Sequence, residues 1–339
     1  MVTGMRLLVL GGTEFLGKHI VDEAVADGHE VTIFHRGTHS SHRPDDVDER
    51  LGDRYTDRSA LAAGEWDAVI DTSGYLPSNM IDVASELNGR VGHYSYVSSV
   101  SAYADQSGGQ LDETRELLDS PEVEPPIAEY MSLYGELKVG CERAVVEAFD
   151  GSVCVTRPGL IVGPWDVTDR FTYWVRRADH PGEILVPDSA AAPRRAVVDG
   201  RDHAQLMLTC AADGRSGVAN VVDPDGYAFT EFVQTACEVA GRAADLVPVS
   251  EQFLAEQKVA PWEELPLWIP SSHEKVGMLA PVAELAREWG LNCRPLSETI
   301  AATLEWDRSR RDEVPELPGK LTLDRERELL ELWATEAAS

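Results

Sequence analysis

The chain has 339 residues, enough for one large α/β domain with a sizeable core and a smaller second region. Apolar residues make up 43%, which excludes an intrinsically disordered chain, and 59 acidic against 30 basic residues give a net charge of −29, a field that sets the surface against nucleic acid and anionic membranes. Five cysteines (Cys141, Cys154, Cys210, Cys237 and Cys293) form no pair with metal-ligand spacing, so the expectation is reduced thiols, no metal and a cytoplasmic setting.

No apolar run approaches the ~18 residues of a membrane span, and the four apolar residues Leu7 to Leu10 are too few for a secretory leader. Lysine is scarce, with five in the chain, while arginine is plentiful. Such a bias follows from a GC-rich genome, or from adaptation to high salt.

In chain order, the first half alternates short apolar runs with helical patterns, the mark of a doubly wound parallel sheet. Residues 7–10 read as strand one, 19–27 as a helix ended by Gly28, and 30–34 as strand two. A weak third strand at 50–52 precedes strand four at 68–71 and strand five at 93–98. An acidic stretch from Asp105 to Glu129 reads as a surface excursion before a long helix at 132–149, and 153–157 is strand six. After Gly163-Pro164 the pattern changes, and seven of the eight tryptophans lie beyond it. The expected organisation is therefore a dinucleotide-binding Rossmann domain over 1–164, with a returning segment near 196–210. The region 165–339 is then mainly a smaller, C-terminal substrate-binding part.

The first motif is Leu7-Leu8-Val9-Leu10-Gly11-Gly12-Thr13-Glu14-Phe15-Leu16-Gly17. A strand leads into a glycine turn that opens a helix, whose first backbone N–H groups can bind a pyrophosphate. Gly11 permits the tight turn, Gly17 lets helix and sheet approach, and Thr13, Phe15 and Leu16 complete the cradle. The tip of strand two should meet the adenine ribose. It reads Phe34-His35-Arg36-Gly37, with no carboxylate to claim a 2′-hydroxyl, and Arg36 can grip a 2′-phosphate. That favours NADP, with NAD as the alternative.

Tyr134-Gly135-Glu136-Leu137-Lys138 puts a tyrosine and a lysine one helical turn apart on one face. An ammonium beside a phenol favours the phenolate, and such a pair suits proton exchange with a carbinol oxygen while a hydride passes to or from nicotinamide. Strand five ends in Val97-Ser98-Ser99-Val100-Ser101-Ala102-Tyr103. A hydroxyl at the carboxyl end of a parallel strand faces the ligand crevice and can steady the substrate oxygen.

The glycine cradle, the paired serines, Tyr-x-x-x-Lys and Arg157-Pro158-Gly159…Gly163-Pro164 follow one another as in extended short-chain dehydrogenases/reductases, and the chain from Met5 to Trp306 resembles the NAD-dependent epimerase/dehydratase family. The resemblance implies that Ser99, four residues before Tyr103, is the catalytic hydroxyl, that Tyr134 is the base, and that Lys138 also bonds the nicotinamide ribose. It implies cofactor contacts at Asp53 and Arg54 of Gly52-Asp53-Arg54, at Ser73-Gly74, and at Pro158. Tyr75, Ser101 and Arg195 are the expected substrate-facing residues, with Arg195 matching an arginine that meets the diphosphate in sugar-nucleotide members.

Three departures stand out, and the first looks like the family's atypical branch. Glu14 stands where the family's middle glycine belongs, Leu160 where it has asparagine, and Val100-Ser101 where dehydratases carry Asp-Glu. The leading expectation is an oxidoreductase for a ketone or secondary alcohol of a small molecule. Alternatives are a sugar-nucleotide epimerase with bound NAD and a non-catalytic binding protein on the same fold. The expected partners are a small-molecule substrate and a second copy in a homodimer, with neither nucleic acid nor membrane.

Overall fold

A computed structural model of the chain describes residues 4–38, 44–107, 111–188, 194–280 and 282–337. The helices and strands run in the order β1 (Arg6–Leu10), α1 (Phe15–Ala26), β2 (Glu30–His35), β3 (Asp48–Leu51), β4 (Trp66–Asp71), α2 (Pro77–Leu87), β5 (Val91–Val97), α3 (Tyr134–Ala148), β6 (Ser152–Pro158), β7 (Leu160–Val162), α4 (Arg170–Ala178), β8 (Ile184–Pro187), β9 (Val197–Asp199), α5 (Gly200–Asp213), β10 (Gly217–Val221), α6 (Phe229–Ala240), β11 (Leu246–Val249), α7 (Glu251–Glu256), α8 (Glu284–Glu288), α9 (Leu296–Arg310) and α10 (Leu323–Ala337).

Seven strands form one parallel sheet in the order β10-β6-β5-β4-β1-β2-β3. The order reverses direction at β1 and β4, the switch point at which α/β sheets open a crevice beyond their strand ends. β1, β4 and β5 are covered on both faces, which is why they read as continuous apolar runs. One face packs on Ile20, Ala204, Met207 and Leu208 of α1 and α5, the other on Met80, Val83, Leu87, Cys141 and Val145 of α2 and α3.

Several boundaries move. α1 begins at Phe15, four residues before the expected start, because the glycine turn delivers the chain directly into helix. α3 begins at Tyr134 rather than 132, since Ile127–Leu133 forms a tighter 3-10 turn in front of it. The returning segment extends past 210: α5 packs on α1, and β10 adds the seventh strand beside β6. Part of the Asp105–Glu129 excursion, residues 108–110, lies outside the described residues.

The second region has its own core around Trp174, Phe171, Phe229, Phe232, Phe253 and Trp268, where α4, α6 and α9 meet. Two short parallel pairs, β8 with β11 and β7 with β9, tie it together and join it to the sheet's carboxyl edge. Among the described residues no helix is long and apolar enough to cross a membrane.

Candidate active site

The glycine turn takes the form its sequence requires. Gly11 has φ +109°, and a Cβ there would sit 2.4 Å from Thr72 Oγ1. At Gly17 a Cβ would lie 2.6 Å from the Gly12 backbone nitrogen, so both positions exclude a side chain. No side chain caps the start of α1. Its first amides are therefore open to an anion, as a pyrophosphate cradle demands. Leu16 is buried under the turn, Thr13 and Phe15 are half-buried at its rim, and Glu14 is exposed at the N-cap.

The tip of β2 differs from its sequence reading in one respect. Parallel pairing with β3 sets Glu49 opposite Ile33 and brings its carboxylate to His35 Nε2 at 2.9 Å, while His35 Nδ1 accepts from Gly37 N at 3.1 Å. A negative group therefore does stand beside the place for a 2′-substituent. Arg36 is exposed next to it and has no ion pair among the described residues.

At the end of β4 lies a network that the sequence did not reveal. Asp71, fully buried, takes a bidentate pair from Arg54 at 2.7 and 2.9 Å, a bond from Tyr94 Oη at 2.6 Å and the Ser73 amide at 2.9 Å. Burial alone would raise its carboxyl, but the Arg54 charge and these bonds outweigh it and hold the pKa below the usual range. Arg54 also donates to Asn79 Oδ1 and to Ser73 Oγ, so its guanidinium is committed to the protein interior. The structure does not bring Arg54 to the cofactor cleft as expected. Its neighbour Asp53 is half-buried at a turn, where its carboxylate accepts from the Tyr55 amide at 2.8 Å.

The structure brings Ser99, Tyr134 and Lys138 together. Ser99 ends the β5 segment in an extended conformation, and its Oγ accepts from Ser101 N at 3.1 Å. The same hydroxyl lies beside the Tyr134 phenol and favours its ionised form. Lys138 is 2% exposed. Its Nζ donates to Gly74 O at 3.1 Å and Val97 O at 2.9 Å, leaving one of its three protons. The ammonium also faces the rings of Tyr75, Tyr96 and Tyr134 at 4.7, 4.9 and 5.7 Å. Gly74 is fixed for this purpose, since a Cβ would strike Met80 Sδ at 2.3 Å.

Burial sets the direction of both titrations at this centre. Burial dominates at Tyr134 and pushes the phenol above its ordinary value; the Ser99 hydroxyl and then the charge of Arg170 pull it down. Lys138 is itself lowered by burial; two of its protons go to carbonyls and the ammonium faces three aromatic rings. Arg170, at the first position of α4, adds a second cation whose charge favours the ionised phenol.

Of the residues expected to face substrate, Tyr75 packs against Tyr130 with ring centroids 4.5 Å apart and planes tilted by 39°, and burial pushes its phenol up to about 12. Ser101 is half-buried in the turn after Ser99, and Pro158 closes β6 opposite Val221. Arg195 does not join them. It is 6% exposed, its Nε donates to Leu267 O at 2.8 Å, and its guanidinium lies 4.7 Å from the Phe229 ring. Burial lowers it to about 10. The adjoining cavity, lined by Phe171, Tyr227 and Phe232, is about 10 Å³, no more than a single water requires.

Among the described residues no cluster of three or more His, Cys, Asp or Glu is placed to hold a metal.

Known proteins resemble this arrangement. In solved structures the chain resembles UDP-glucose-4-epimerase from Stenotrophomonas maltophila with bound NAD and formylated UDP-arabinopyranose (18% identity, 91% of this chain and 100% of that one, TM-score 0.67). It also resembles the Bordetella bronchiseptica enzyme WbmG in complex with NAD and UDP (16%, 91% and 95%, 0.64) and UDP-N-acetylglucosamine 4-epimerase from Bacillus cereus (16%, 90% and 100%, 0.62). At these identities the likeness shows the fold. No curated protein matches the sequence. A sequence model of the NAD dependent epimerase/dehydratase family matches residues 7–222, and with this match over more than half its length the chain belongs to that family.

Proposed function

We propose that the protein is a nicotinamide-dinucleotide-dependent oxidoreductase that reduces a ketone, or oxidises a secondary alcohol, of a small molecule. The observation that carries this choice within the family is Arg195. The position expected to receive a sugar-nucleotide diphosphate is closed inside an aromatic box with space for about one water.

The nicotinamide supplies or accepts the hydride. The chain's own residues do the rest. Ser99 Oγ and Tyr134 Oη converge on the place for a substrate oxygen. In reduction, Tyr134 gives its proton to that oxygen as it gains charge, and Ser99 donates a hydrogen bond to it. Lys138 holds the strand-four and strand-five ends together through Gly74 O and Val97 O, and its remaining proton is available to the cofactor ribose. Gly11, Gly17 and the uncapped start of α1 would hold the pyrophosphate, with Thr13, Phe15, Leu16, Asp53, Ser73, Gly74 and Pro158 along its length. Arg36 favours NADP, while Glu49 opposes the extra phosphate, so the preference over NAD is small. The free cysteines fit a reducing compartment, the cytoplasm.

A second reading, a sugar-nucleotide epimerase with retained NAD, is favoured by the UDP-bound relatives of like fold. One experiment separates the two. Purified protein is assayed for NADPH and NADH consumption over a set of ketones, and in parallel for interconversion of UDP-glucose and UDP-galactose without net change in NAD. Ketone-dependent oxidation of the reduced cofactor is the expected result; sugar interconversion alone would replace it with the epimerase reading.

A further inference from the structure

In the second region the arginines around α4 and α9 are paired with carboxylates. Arg176 meets Asp307, Arg177 meets Glu326, Arg308 and Arg311 meet Asp179, and Arg310 meets Asp169. Arg170 stands among them without one. Among the described residues its one hydrogen bond runs from Nε to Thr168 Oγ1 at 3.1 Å, and Thr168 is in turn fixed by Asp166 Oδ1 at 2.7 and 2.9 Å. One face of the guanidinium is covered by the Trp262 ring at 5.2 Å. The stem and one face are thus held, and the Nη1–Nη2 edge is left for a ligand. A planar fork on an aromatic surface, relieved of part of its water, is well suited to a two-oxygen anion.

The surrounding contacts tie the wall behind Arg170 to the turn that carries Ser99. Trp262 packs with Ile269, Val276 and Leu279. The neighbouring Gly277 amide donates to Gln106 O at 2.8 Å, and Gln106 Nε2 donates to Tyr103 O at 3.1 Å and Val100 O at 3.4 Å. The segment that carries Trp262 is therefore fastened to the turn that begins at Ser99. The Arg170 charge reaches the Tyr134 phenol, and the half-buried Lys320 lies within range of Arg170. Of the nearby acids, Asp169 is bound to Arg310, and Asp166, raised by burial and pulled back by its Thr168 bonds and the Arg170 charge, turns its Oδ1 to Thr168. In a chain of net charge −29, an anion reaches this cleft only through such a local cation.

We propose that Arg170 is the substrate-selecting residue of the active site, binding a carboxylate or phosphate group carried by the carbonyl compound that Ser99 and Tyr134 process. This rests on the oxidoreductase reading for what the substrate does, though not for the presence of the anion site.

The test is calorimetric titration of NAD-saturated protein with malonate and with inorganic phosphate, using malonamide as the neutral control. Wild type should bind one of the two anions saturably and not malonamide; which anion binds tells carboxylate from phosphate. Arg170→Gln should weaken that binding at least tenfold. Arg170→Lys should be intermediate, since it keeps the charge without the fork. The exposed, Glu231-paired Arg194 serves as control, and Arg194→Gln should bind as wild type. Absence of saturable binding, or equal binding in Arg170→Gln, would overturn the proposal. So would a tenfold loss of NAD affinity in Arg170→Gln, which would assign the arginine to the cofactor. If the anion binds through Arg170 and no ketone is reduced, the anion site stands and the oxidoreductase reading alone fails.

Discussion

The carboxyl edge of the seven-stranded sheet and the helical region beyond Pro164 both bury charge, but they use it differently. In the helical region, Arg176–Asp307 and Arg177–Glu326 are closed pairs that hold α4 to α9 and α10. At the sheet edge, the Arg54–Asp71 pair sits directly beneath groups that face the cleft, and Lys138 has no carboxylate at all. A buried pair is weak evidence of function, because structure alone is reason enough to keep it. A buried or half-buried cation bound only to carbonyls or hydroxyls retains charge that a ligand can use. Lys138 and Arg170 meet that description at the cleft; Arg195 meets it chemically but is sealed away.

The sharpest way to break this contrast is at the proton donor. Tyr134→Phe should lower kcat by roughly 10²–10⁴-fold with cofactor affinity nearly intact, since it removes one acid and little contact area. Near-normal turnover would dissolve the distinction between the two regions. The pH profile carries a sign as well. The protonated phenol is the working acid in reduction, and burial holds its pKa above the ordinary ~10. Reduction should therefore persist below that raised value and fall only as pH rises through it. An alkaline limb near neutrality in stopped-flow measurements of reduction would contradict the assignment.

In the helical region the expected loss is of stability. Asp307→Ala leaves Arg176 buried without its partner and should cost about 3–5 kcal/mol, read as a lowered Tm and denaturant midpoint. A change within 0.5 kcal/mol would show that the pair is not structural.

Next in size is the glycine cradle. Gly17→Ala drives a methyl group into the Gly12 backbone, an overpacking of about 1–3 kcal/mol, and should weaken NAD binding several-fold more than it lowers Tm in cofactor-free protein. Equal affinity in the mutant would remove the cradle from the site.

The smallest effect belongs to Arg36. One charge-assisted contact, worth roughly 1.5–3 kcal/mol, by itself supports a preference for NADP of about tenfold or more, and Glu49 works against it. Comparing dissociation constants for both cofactors in wild type and Arg36→Ala decides the matter; an unchanged ratio would exclude Arg36 as selector.

The same comparison explains what the sequence could reveal. Gly11 to Gly17 and the Tyr134–Lys138 spacing are local patterns. The turn and the helix that give them meaning are specified by residues within a few positions, so they are legible along the chain. A hydroxyl at the end of strand five was legible from its position, while the choice of Ser99 within the serine pair came from the family resemblance. Asp71 and Arg54 lie 17 residues apart and meet across the ends of different segments. The one available signal was an acid closing the apolar run Ala68–Asp71 just before Ser73-Gly74. Glu49 escaped notice because its approach to His35 depends on the β2–β3 register, which an exposed four-residue edge strand does not advertise. Arg170 is placed by a turn, a helix start and a tryptophan 92 residues later, so nothing in its own neighbourhood marks it.

The first turns of α1 reach across to the chain that leads into α4. His19 Nε2 meets Pro164 O at 3.0 Å, Lys18 Nζ lies 5.1 Å from the Trp165 ring, and Trp165 itself holds φ +69°. The helix start that cradles one ligand is thus fastened to the segment that positions the other. Thermodynamic reciprocity then applies: by whatever factor a bound dinucleotide changes affinity at Arg170, an anion there changes affinity for the dinucleotide equally. His19→Ala should shrink that factor toward one while leaving each ligand able to bind alone, and a coupling unchanged in that variant would place the communication elsewhere.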